Sequence, residues 1–303
     1  MKILVTGGAG FIGSNLSVAL AKKGHEVVAF DNMFLGSENS LEETDVTLIK
    51  GDITDAEAVS KASMGCDVIF NEAAASSSPM FKKDLRRCVA INVDGFVNVM
   101  NAAMDNGVGR VIYASTSSIY GNSPSPLRED MKCVPVNMYA STKLMNEHIA
   151  LLFGMENDID TIGLRYMSVF GPGEEPKGKF ANLVSQFLWT MRRGGRPVIY
   201  GDGSQTRDFT YVKDVVKANI MSMESKCKNE IFNVGTGRET SLSDVVSILN
   251  SILGTGIEPE YVRNEVKNYI STQRADMSKI KKVIGFEPEF SLESGIRDIL
   301  GDS

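Results

Sequence analysis

The sequence is poor in the residues that most often build metal centres, and it lacks long apolar runs. Its 303 residues include four cysteines and two histidines, none with the spacing of metal ligands. No metal site and no histidine-based catalytic triad is therefore expected. Scattered cysteines are typical of a reducing compartment. No segment reaches the roughly 20 apolar residues of a membrane-spanning helix, and glycines interrupt the short apolar run at the N-terminus. We expect a cytoplasmic protein with no membrane partner.

An excess of basic charge is also missing. The chain has 32 basic and 38 acidic residues, so its formal net charge is −6, and the two signs are interspersed. Nucleic acids and anionic membranes bind to concentrated basic surfaces, which excludes nucleic acid as the expected partner. The chain is also long for a single hydrophobic core, which favours two lobes.

Short β-branched runs alternate with longer helical segments in the first half of the chain. This rhythm predicts an α/β fold with a doubly wound parallel sheet of the Rossmann type. The predicted strands are Lys2–Thr6, Glu26–Phe30, Thr47–Lys50, Asp67–Phe70, Arg110–Ser115 and Thr161–Leu164, and the predicted helices are Ile12–Lys22, Asp55–Ala62, Phe81–Asp105 and Met138–Leu152.

The rhythm changes after about Arg165. A segment rich in glycine, proline and charge, Gly171–Lys179, precedes a helix expected from Phe180, and short mixed elements follow. They predict a smaller mixed lobe beside the carboxyl edge of the sheet, where ligands bind in this architecture. We expect one domain to comprise residues 1–165 and about 207–232, and the lobe to comprise 166–206 and 233–303.

The helix predicted over Phe81–Asp105 is apolar on more than one side. One apolar stripe can pack on the sheet. The apolar residues outside this stripe predict that a partner helix packs on them across the interface of a homodimer.

A glycine-rich turn follows the first strand and opens the first helix. Gly8, Gly10 and Gly13 form a GxGxxG pattern, and Gly7, Gly10 and Gly13 are spaced by three. Glycines let the backbone approach a pyrophosphate, which then lies at the helix N-terminus beside Phe11 and Ile12. The strand–turn–helix context makes this pattern specific for a dinucleotide site.

The ends of the next strands predict which dinucleotide is bound. Asp31 ends the second strand 18 positions after Gly13, where a carboxylate can accept both adenosine ribose hydroxyls and repel a 2′-phosphate. NAD is therefore favoured over NADP. Asp52 and Ile53 follow the third strand, where they could contact adenine, and Ala73-Ala74 offer small side chains after the fourth strand.

Tyr139 and Lys143 are four residues apart, so both lie on one face of the predicted helix. An ammonium near a phenol favours phenolate, and with a cofactor charge it could move the tyrosine pKa from about 10 towards 7. Such a phenol can exchange a proton with a substrate hydroxyl. The preceding strand ends in a run of hydroxyl residues that includes Thr116, at the same sheet edge.

Further motifs occur in a fixed order along nearly the whole chain. They are Thr6–Gly13, Asp31–Asn32, Asn92–Gly95, Ser115–Gly121, Tyr139–Lys143, Leu164–Tyr166, Val169–Pro172, Gly201–Gly203, Thr206–Val212 and Phe232–Gly237. The ordered set resembles the extended short-chain dehydrogenase/reductase family of sugar-nucleotide enzymes, and within it the UDP-glucose and UDP-N-acetylglucosamine 4-epimerases of archaea and bacteria.

The resemblance implies a role for each matching residue. Tyr139 would be the general acid/base, Lys143 would tune it and bind the ribose, and Thr116 would bind the sugar 4-oxygen. The implied cofactor-binding residues are Gly7, Gly10, Phe11, Ile12, Gly13, Asp31, Asn32, Asp52, Ile53, Ala73, Ala74, Asn92, Tyr139, Lys143 and Met167. The implied substrate-binding residues are Thr116, Ser168, Asn182, Arg207 and Arg274, with Arg207 and Asn182 on the diphosphate side. The implied reaction oxidises the sugar at C4 with bound NAD, turns the keto sugar and returns the hydride to its other face.

The chain departs from the family pattern at three places. Ser168 stands where these epimerases usually carry asparagine, and Asn71-Glu72 replaces the usual His-x before two alanines. The late Arg-x-x-Asp is not evident at 263–266, and Lys267 or Arg274 could substitute for its arginine. These departures bear on substrate identity more than on chemistry.

Two other readings stay open. One is another NAD-dependent nucleotide-sugar oxidoreductase, such as a keto-sugar reductase, a dehydratase or a decarboxylase. Dehydratases and decarboxylases of the family carry a carboxylate after the threonine, whereas this chain has Ser117-Ser118, which disfavours elimination. The other is a non-catalytic NAD-binding regulatory protein, and the intact Thr116, Tyr139 and Lys143 set argues against it.

Overall fold

The computed structural model describes residues 1–265 and 269–301, and its centre is a seven-stranded parallel sheet. The strands are β1 (Lys2–Thr6), β2 (Glu26–Asp31), β3 (Val46–Lys50), β4 (Val68–Asn71), β5 (Arg110–Thr116), β6 (Asp160–Tyr166), β7 (Ser168–Phe170), β8 (Val198–Tyr200), β9 (Thr206–Arg207), β10 (Phe209–Tyr211), β11 (Glu230–Val234), β12 (Thr240–Ser241) and β13 (Glu260–Val262). The helices are α1 (Phe11–Lys22), α2 (Ala56–Ser63), α3 (Ser78–Lys83), α4 (Leu85–Val89), α5 (Gly95–Asp105), α6 (Met138–Asn157), α7 (Leu183–Arg192), α8 (Val212–Glu224), α9 (Leu242–Leu253), α10 (Ser278–Ile284) and α11 (Leu292–Leu300).

The strand order in the sheet is β3–β2–β1–β4–β5–β6–β11, and every neighbouring pair is parallel. The direction of winding reverses between β1 and β4, and this reversal opens a crevice at the carboxyl ends of the strands. The predicted doubly wound Rossmann-type sheet is confirmed. Each of the six predicted strands ends within two residues of its predicted limits.

Alternate residues of β1 serve two separate cores. Ile3 and Val5 pack against α1 and α8 on one face of the sheet. Leu4 packs with side chains of α2, α5 and α6 on the other face. Because both faces are covered here, β1 is apolar from Ile3 to Val5 without alternation.

A third core builds the smaller lobe. It joins Phe187 of α7, Leu249 of α9 and Ile296 of α11 with the strand residues Phe170 and Ile199. Three short two-stranded pairings, β7–β10, β9–β12 and β8–β13, lie in this part. The mixed lobe is thus present, and the exact domain boundaries stay a prediction.

The helix predicted over Phe81–Asp105 is broken at Asp84, where that prediction is wrong, and from there it continues through a π turn to Asp105. Asp84 has extended backbone angles, and its side chain caps α4 by accepting a hydrogen bond from the Arg87 amide. Between α4 and α5 the chain makes a π turn over Ala90–Asp94. Aspartate competes for backbone hydrogen bonds and so favours a helix start over a helix interior.

The helix expected from Phe180 begins three residues later. Residues Glu175–Phe180 form a short 3₁₀ segment. The side chain of Asn182 then accepts a hydrogen bond from the Val184 amide and caps α7. Within the described residues, no helix combines the length and apolar character needed to cross a membrane.

Candidate active site

A cavity of about 470 Å³ opens at the carboxyl ends of β1, β2, β4, β5 and β6. One end is formed by the glycine turn and the other by Tyr139, Lys143 and the lobe. The predicted site residues that line it are Gly7, Gly10, Phe11, Ile12, Gly13, Asp31, Asn32, Ile53, Ala73, Ala74, Thr116, Tyr139, Lys143, Met167, Ser168, Asn182 and Arg207. Asp52, Asn92 and Arg274 lie outside its wall.

The glycine turn has no room for larger residues. A Cβ on Gly13 would lie 2.0 Å from the carbonyl oxygen of Gly7, and a Cβ on Gly7 would lie 2.7 Å from the Ala73 nitrogen. Gly10 is the N-cap of α1 and offers no side chain to the first amides of the helix. A backbone surface with free helix amides is what a pyrophosphate requires, so this turn fits a dinucleotide.

Asp31 is held at the end of β2 by backbone amides. Its carboxylate accepts hydrogen bonds from Ala9 (3.1 Å) and Met33 (2.8 Å). Burial raises its pKa, and these hydrogen bonds oppose the rise. Because a carboxylate accepts about four hydrogen bonds, it keeps capacity for ribose hydroxyls.

The carboxylate of Asp52 is occupied by its own neighbours. One oxygen accepts a hydrogen bond from Asn32 Nδ2 (3.0 Å), and the other accepts from the amide and the hydroxyl of Thr54. Although burial opposes them, these bonds keep the pKa of Asp52 below its ordinary value. Gly51 and Ile53 form the cavity wall here instead, so the adenine contact expected of Asp52 stays a prediction.

Asn92 anchors the loop that follows β4. Its side chain accepts from the Ala75 amide (2.7 Å) and donates to the Ala75 carbonyl and the Thr142 hydroxyl. It is buried on the π turn and ties this loop to α6. Asn92 does not line the cavity itself, but it fixes the loop around Ala75, which does.

The first turn of α6 presents Tyr139 and Lys143 to the cavity. Asn137 caps this helix by accepting a hydrogen bond from the Ala140 amide (2.9 Å). Lys143 Nζ is buried and donates to the Ala114 carbonyl of β5 at 2.8 Å. Thr116, two residues further along β5, is in hydrogen-bonding contact with the Tyr139 phenol. The three residues of the predicted catalytic set are therefore brought together.

Burial dominates the electrostatics of this set. It lowers the pKa of Lys143 to about 8, opposed by Glu72 and Glu147. It raises the pKa of Tyr139 to about 12, although the hydrogen bond to Thr116 works in the other direction. The expected lowering of the phenol pKa by Lys143 is not found in the protein alone, because Lys143 is not among the groups that shift this pKa, and the charge of Glu72 adds to the effect of burial.

A buried ion pair fixes the next turn of α6 against the sheet. Glu147 binds Arg165 of β6 through two hydrogen bonds of 3.0 and 2.8 Å and also accepts from the Ser115 hydroxyl. Since α6 carries Tyr139 and Lys143, this pair sets the position of both relative to β5.

Arg207 is the strongest candidate for binding an anion. Its guanidinium donates to the carbonyls of Thr206 (2.7 Å) and Ser271 (3.3 Å) and stacks on the Tyr269 ring. Burial lowers its pKa. No carboxylate of residues 1–265 and 269–301 forms an ion pair with it, so its charge is available to a ligand.

The other substrate-side predictions have mixed outcomes. Ser168 and Asn182 line the cavity, with Asn182 also capping α7. Arg274 is not part of the cavity wall, its Nε lies 4.0 Å from Glu239, and its contact with the substrate stays a prediction. Lys267 lies outside the described residues.

Sequence reasoning missed several polar residues of the cavity wall, among them Lys177, Gln273 and Glu72. Lys177 lies over the Phe11 ring and pairs with Glu174 at 3.0 Å. Gln273 donates to the Ser117 carbonyl. Glu72 accepts a hydrogen bond from Tyr166. The unusual Asn71-Glu72 pair was a visible signal for Glu72, whereas nothing in the sequence marked the other two.

Comparison with known proteins agrees with this geometry. A family model described as the NAD dependent epimerase/dehydratase family matches residues 3–235. The chain is 32% identical to a putative UDP-glucose 4-epimerase from Methanocaldococcus jannaschii, covering 98% of this chain and 97% of that protein. It is also 32% identical to a UDP-N-acetyl-alpha-D-glucosaminuronate decarboxylase from Bacillus cytotoxicus, covering 99% and 96%.

Solved structures show the same fold throughout. The UDP-glucose 4-epimerase of Thermotoga maritima with UDP-glucose superposes with a TM-score of 0.95 at 32% identity, covering 100% of this chain and 98% of that one. The UDP-glucuronic acid 4-epimerase of Bacillus cereus, in complex with UDP-glucuronic acid and NAD, has a TM-score of 0.91 at 29% identity, covering 100% and 98%.

Proposed function

Since the chain belongs to the NAD-dependent epimerase/dehydratase family, we propose that it is a nucleotide-sugar 4-epimerase acting on UDP-linked hexoses. The observation that carries this proposal is the convergence of Tyr139, Lys143 and Thr116 in one cavity with the dinucleotide turn. Ser117 and Ser118 follow Thr116, so no carboxylate stands there to assist elimination. A 4-epimerase needs a reversible proton acceptor, a reversible hydride acceptor and room for the 4-keto sugar to turn, but no second acid or base.

The cofactor, NAD, would accept a hydride from the sugar C4 and later return it. The protein residues handle the proton. Thr116 orients the sugar 4-hydroxyl towards Tyr139, and the phenolate takes its proton and gives it back when the hydride returns. Because burial and the charge of Glu72 raise the pKa of Tyr139 to about 12, we expect the positive charge of bound NAD⁺ to favour the phenolate. Lys143 holds the ribose side of this arrangement.

Arg207 would hold the diphosphate, with Asn182 and Lys177 on the same wall. A guanidinium binds phosphate oxygens through two hydrogen bonds and retains its charge at all relevant pH values. Ser168 supplies a shorter polar group than the usual asparagine. We infer that this position affects how the diphosphate is contacted rather than whether chemistry occurs.

The reaction is tested by incubating the purified protein with UDP-glucose, UDP-N-acetylglucosamine or UDP-glucuronate without added cofactor. We expect the C4 epimer of at least one of them by NMR or by chromatography. Loss of carbon dioxide from UDP-glucuronate would indicate a decarboxylase, and stoichiometric consumption of added NADH a reductase. No conversion of any common nucleotide sugar would reject the epimerase.

We also propose that the protein is a homodimer that pairs through α5 and α6. Of the apolar residues on the predicted long helix, Phe96 and Met100 are buried on the sheet, whereas Met104 is exposed. Leu152 and Met155 of α6 are exposed as well. Light scattering after size exclusion should give twice the monomer mass, and Leu152→Glu should halve it; a monomeric wild type would contradict this arrangement. The cytoplasmic location stays a prediction.

A further inference from the structure

Glu72 is a carboxylate that the catalytic scheme above does not use. It follows β4 and lines the cavity together with Tyr139, Lys143 and Thr116. Its Oε1 accepts a hydrogen bond of 2.7 Å from the Tyr166 hydroxyl, and that hydroxyl accepts one of 2.8 Å from Asn219 Nδ2. Tyr166 of β6 thus holds the carboxylate in place, and Asn219 of α8 in turn positions Tyr166.

Of the two carboxylates that act on the Lys143 ammonium, Glu72 is the one that is not paired with another cation in the described part of the chain. The hydrogen-bond acceptor of Lys143 Nζ is the neutral Ala114 carbonyl. Two carboxylates act on the ammonium, Glu72 and Glu147. Glu147 is already committed to Arg165, which it binds through both oxygens. Glu72 therefore faces the cavity with a charge that no guanidinium neutralises among the described residues.

Oxidation of an alcohol removes a proton from oxygen and a hydride from the adjacent carbon. The hydride acceptor must therefore bind at the Tyr139 end of the cavity, which Glu72 also lines. The nicotinamide ring is cationic in NAD⁺ and neutral in NADH. A fixed negative charge in a partly desolvated site favours the cationic form.

We propose that Glu72 is a charge-balancing residue whose carboxylate offsets both the Lys143 ammonium and the oxidised nicotinamide, so that the protein binds NAD⁺ in preference to NADH. This inference rests on the cofactor, and it does not depend on which sugar is the substrate. In an enzyme that returns its hydride in every turnover, such a preference favours the return step.

The preference depends on pH with a defined sign. Burial raises the pKa of Glu72 to about 7, opposed by the Tyr166 hydrogen bond and by Lys143. The groups that act on it are Tyr166 from β6 and Lys143 and Tyr139 from α6, while the uncharged Asn219 of α8 is bonded to Tyr166. Above this pKa the carboxylate is charged and NAD⁺ is preferred. Below it the preference is lost, and because bound NAD⁺ itself stabilises the carboxylate, the loss lies on the acid side of 7.

The test is calorimetric titration of the cofactor-free protein with NAD⁺ and with NADH between pH 6.0 and 8.5. At pH 8 we expect Glu72→Gln to lower the ratio of the NADH dissociation constant to the NAD⁺ dissociation constant about tenfold. This change corresponds to roughly 1.4 kcal/mol. The ratio in this variant should no longer depend on pH. Glu57→Gln, which removes an exposed carboxylate of α2, is the matched control and should behave as the wild type.

Tyr166→Phe is a second variant with a different expected result. It removes a hydrogen bond to the charged carboxylate and so raises the pKa of Glu72. The preference for NAD⁺ should persist at pH 8.5. As the pH is lowered from there, it should be lost at a higher pH in this variant than in the wild type. The wild-type series needs no substitution, so the proposal stays testable if a variant fails to fold.

An unchanged ratio in Glu72→Gln, or an equal loss of both affinities, would overturn the proposal. So would a wild-type ratio that is constant across the pH range. No nucleotide sugar is present in these titrations. Failure of the epimerase assay would therefore leave this result untouched, and the reverse also holds.

Discussion

The two halves of the cavity are built from different parts of the polypeptide. At the cofactor half, main-chain atoms form the surface of the cavity, because side chains at Gly7 or Gly13 would collide with neighbouring main chain. At the half that we propose for the substrate, side chains from separate segments meet, among them Ser168, Arg207 and Gln273. A backbone surface demands particular residue types at fixed spacing, whereas a surface of side chains can be assembled in many ways.

The largest expected effect lies where the two halves meet. Tyr139→Phe removes the proton carrier and should lower kcat by about 10²–10⁴-fold, the usual contribution of a general acid/base. NAD should still bind, because the glycine turn is unaffected. Turnover of the nucleotide sugar and calorimetric NAD binding are measured together. Tyr261→Phe, at an exposed tyrosine of β13, is the control; an active Tyr139→Phe enzyme would contradict the assignment.

A smaller effect is expected at Arg207, where a substitution should weaken binding at the substrate half and leave binding at the cofactor half unchanged. Arg207→Gln removes the charge-assisted hydrogen bonds to a diphosphate, about 1.5–3 kcal/mol, and should weaken UDP binding about 10- to 100-fold. Its NAD affinity should be unchanged. Arg274→Gln, at an arginine outside the cavity wall, should bind UDP as the wild type does. Equal losses in both variants would show that the cavity has been divided wrongly.

The smallest expected effect concerns the glycine turn. Gly13→Ala places a methyl group 2.0 Å from the Gly7 carbonyl oxygen, and overpacking of this kind costs about 1–3 kcal/mol. We expect NAD affinity or the melting temperature to fall, while UDP affinity changes little. Gly256→Ala meets nothing within 4 Å and provides the control. A Gly13→Ala protein with normal NAD affinity and normal stability would refute the close approach.

The uninterrupted helix expected over Phe81–Asp105 shows where sequence reasoning stopped. Apolar periodicity continues through this segment, and it carries no information on Asp84 as a cap. The π turn that brings Asn92 to Ala75 is decided by three hydrogen bonds to parts of the chain 17 and 50 positions away. Periodicity reports burial, but it does not report where a polar side chain finds its partner.

For Asp52 and Arg274 as well, the sequence did not indicate which partner each side chain has in the structure. Both have a residue type and a sequence position that fit a ligand contact. In the structure, Asp52 is bonded to Asn32 and Thr54, and Arg274 faces Glu239. The partners of Asp52 lie 2 and 20 positions away along the chain and that of Arg274 lies 35 positions away, and the family pattern indicates none of them.

The sequence by itself determined the doubly wound sheet, the glycine turn with its helix, the preference for NAD at Asp31, and the Tyr139–Lys143 pair. These features follow from local periodicity and from backbone geometry that only certain residues permit. Tertiary structure alone decided that Glu72 accepts a hydrogen bond from Tyr166 and acts on the charge of Lys143, that Arg207 is partly buried without an acidic partner among the described residues, and that the Tyr139 phenol has a raised pKa. Each of these depends on how far distant segments exclude water from one another, which is a property of packing and not of order along the chain.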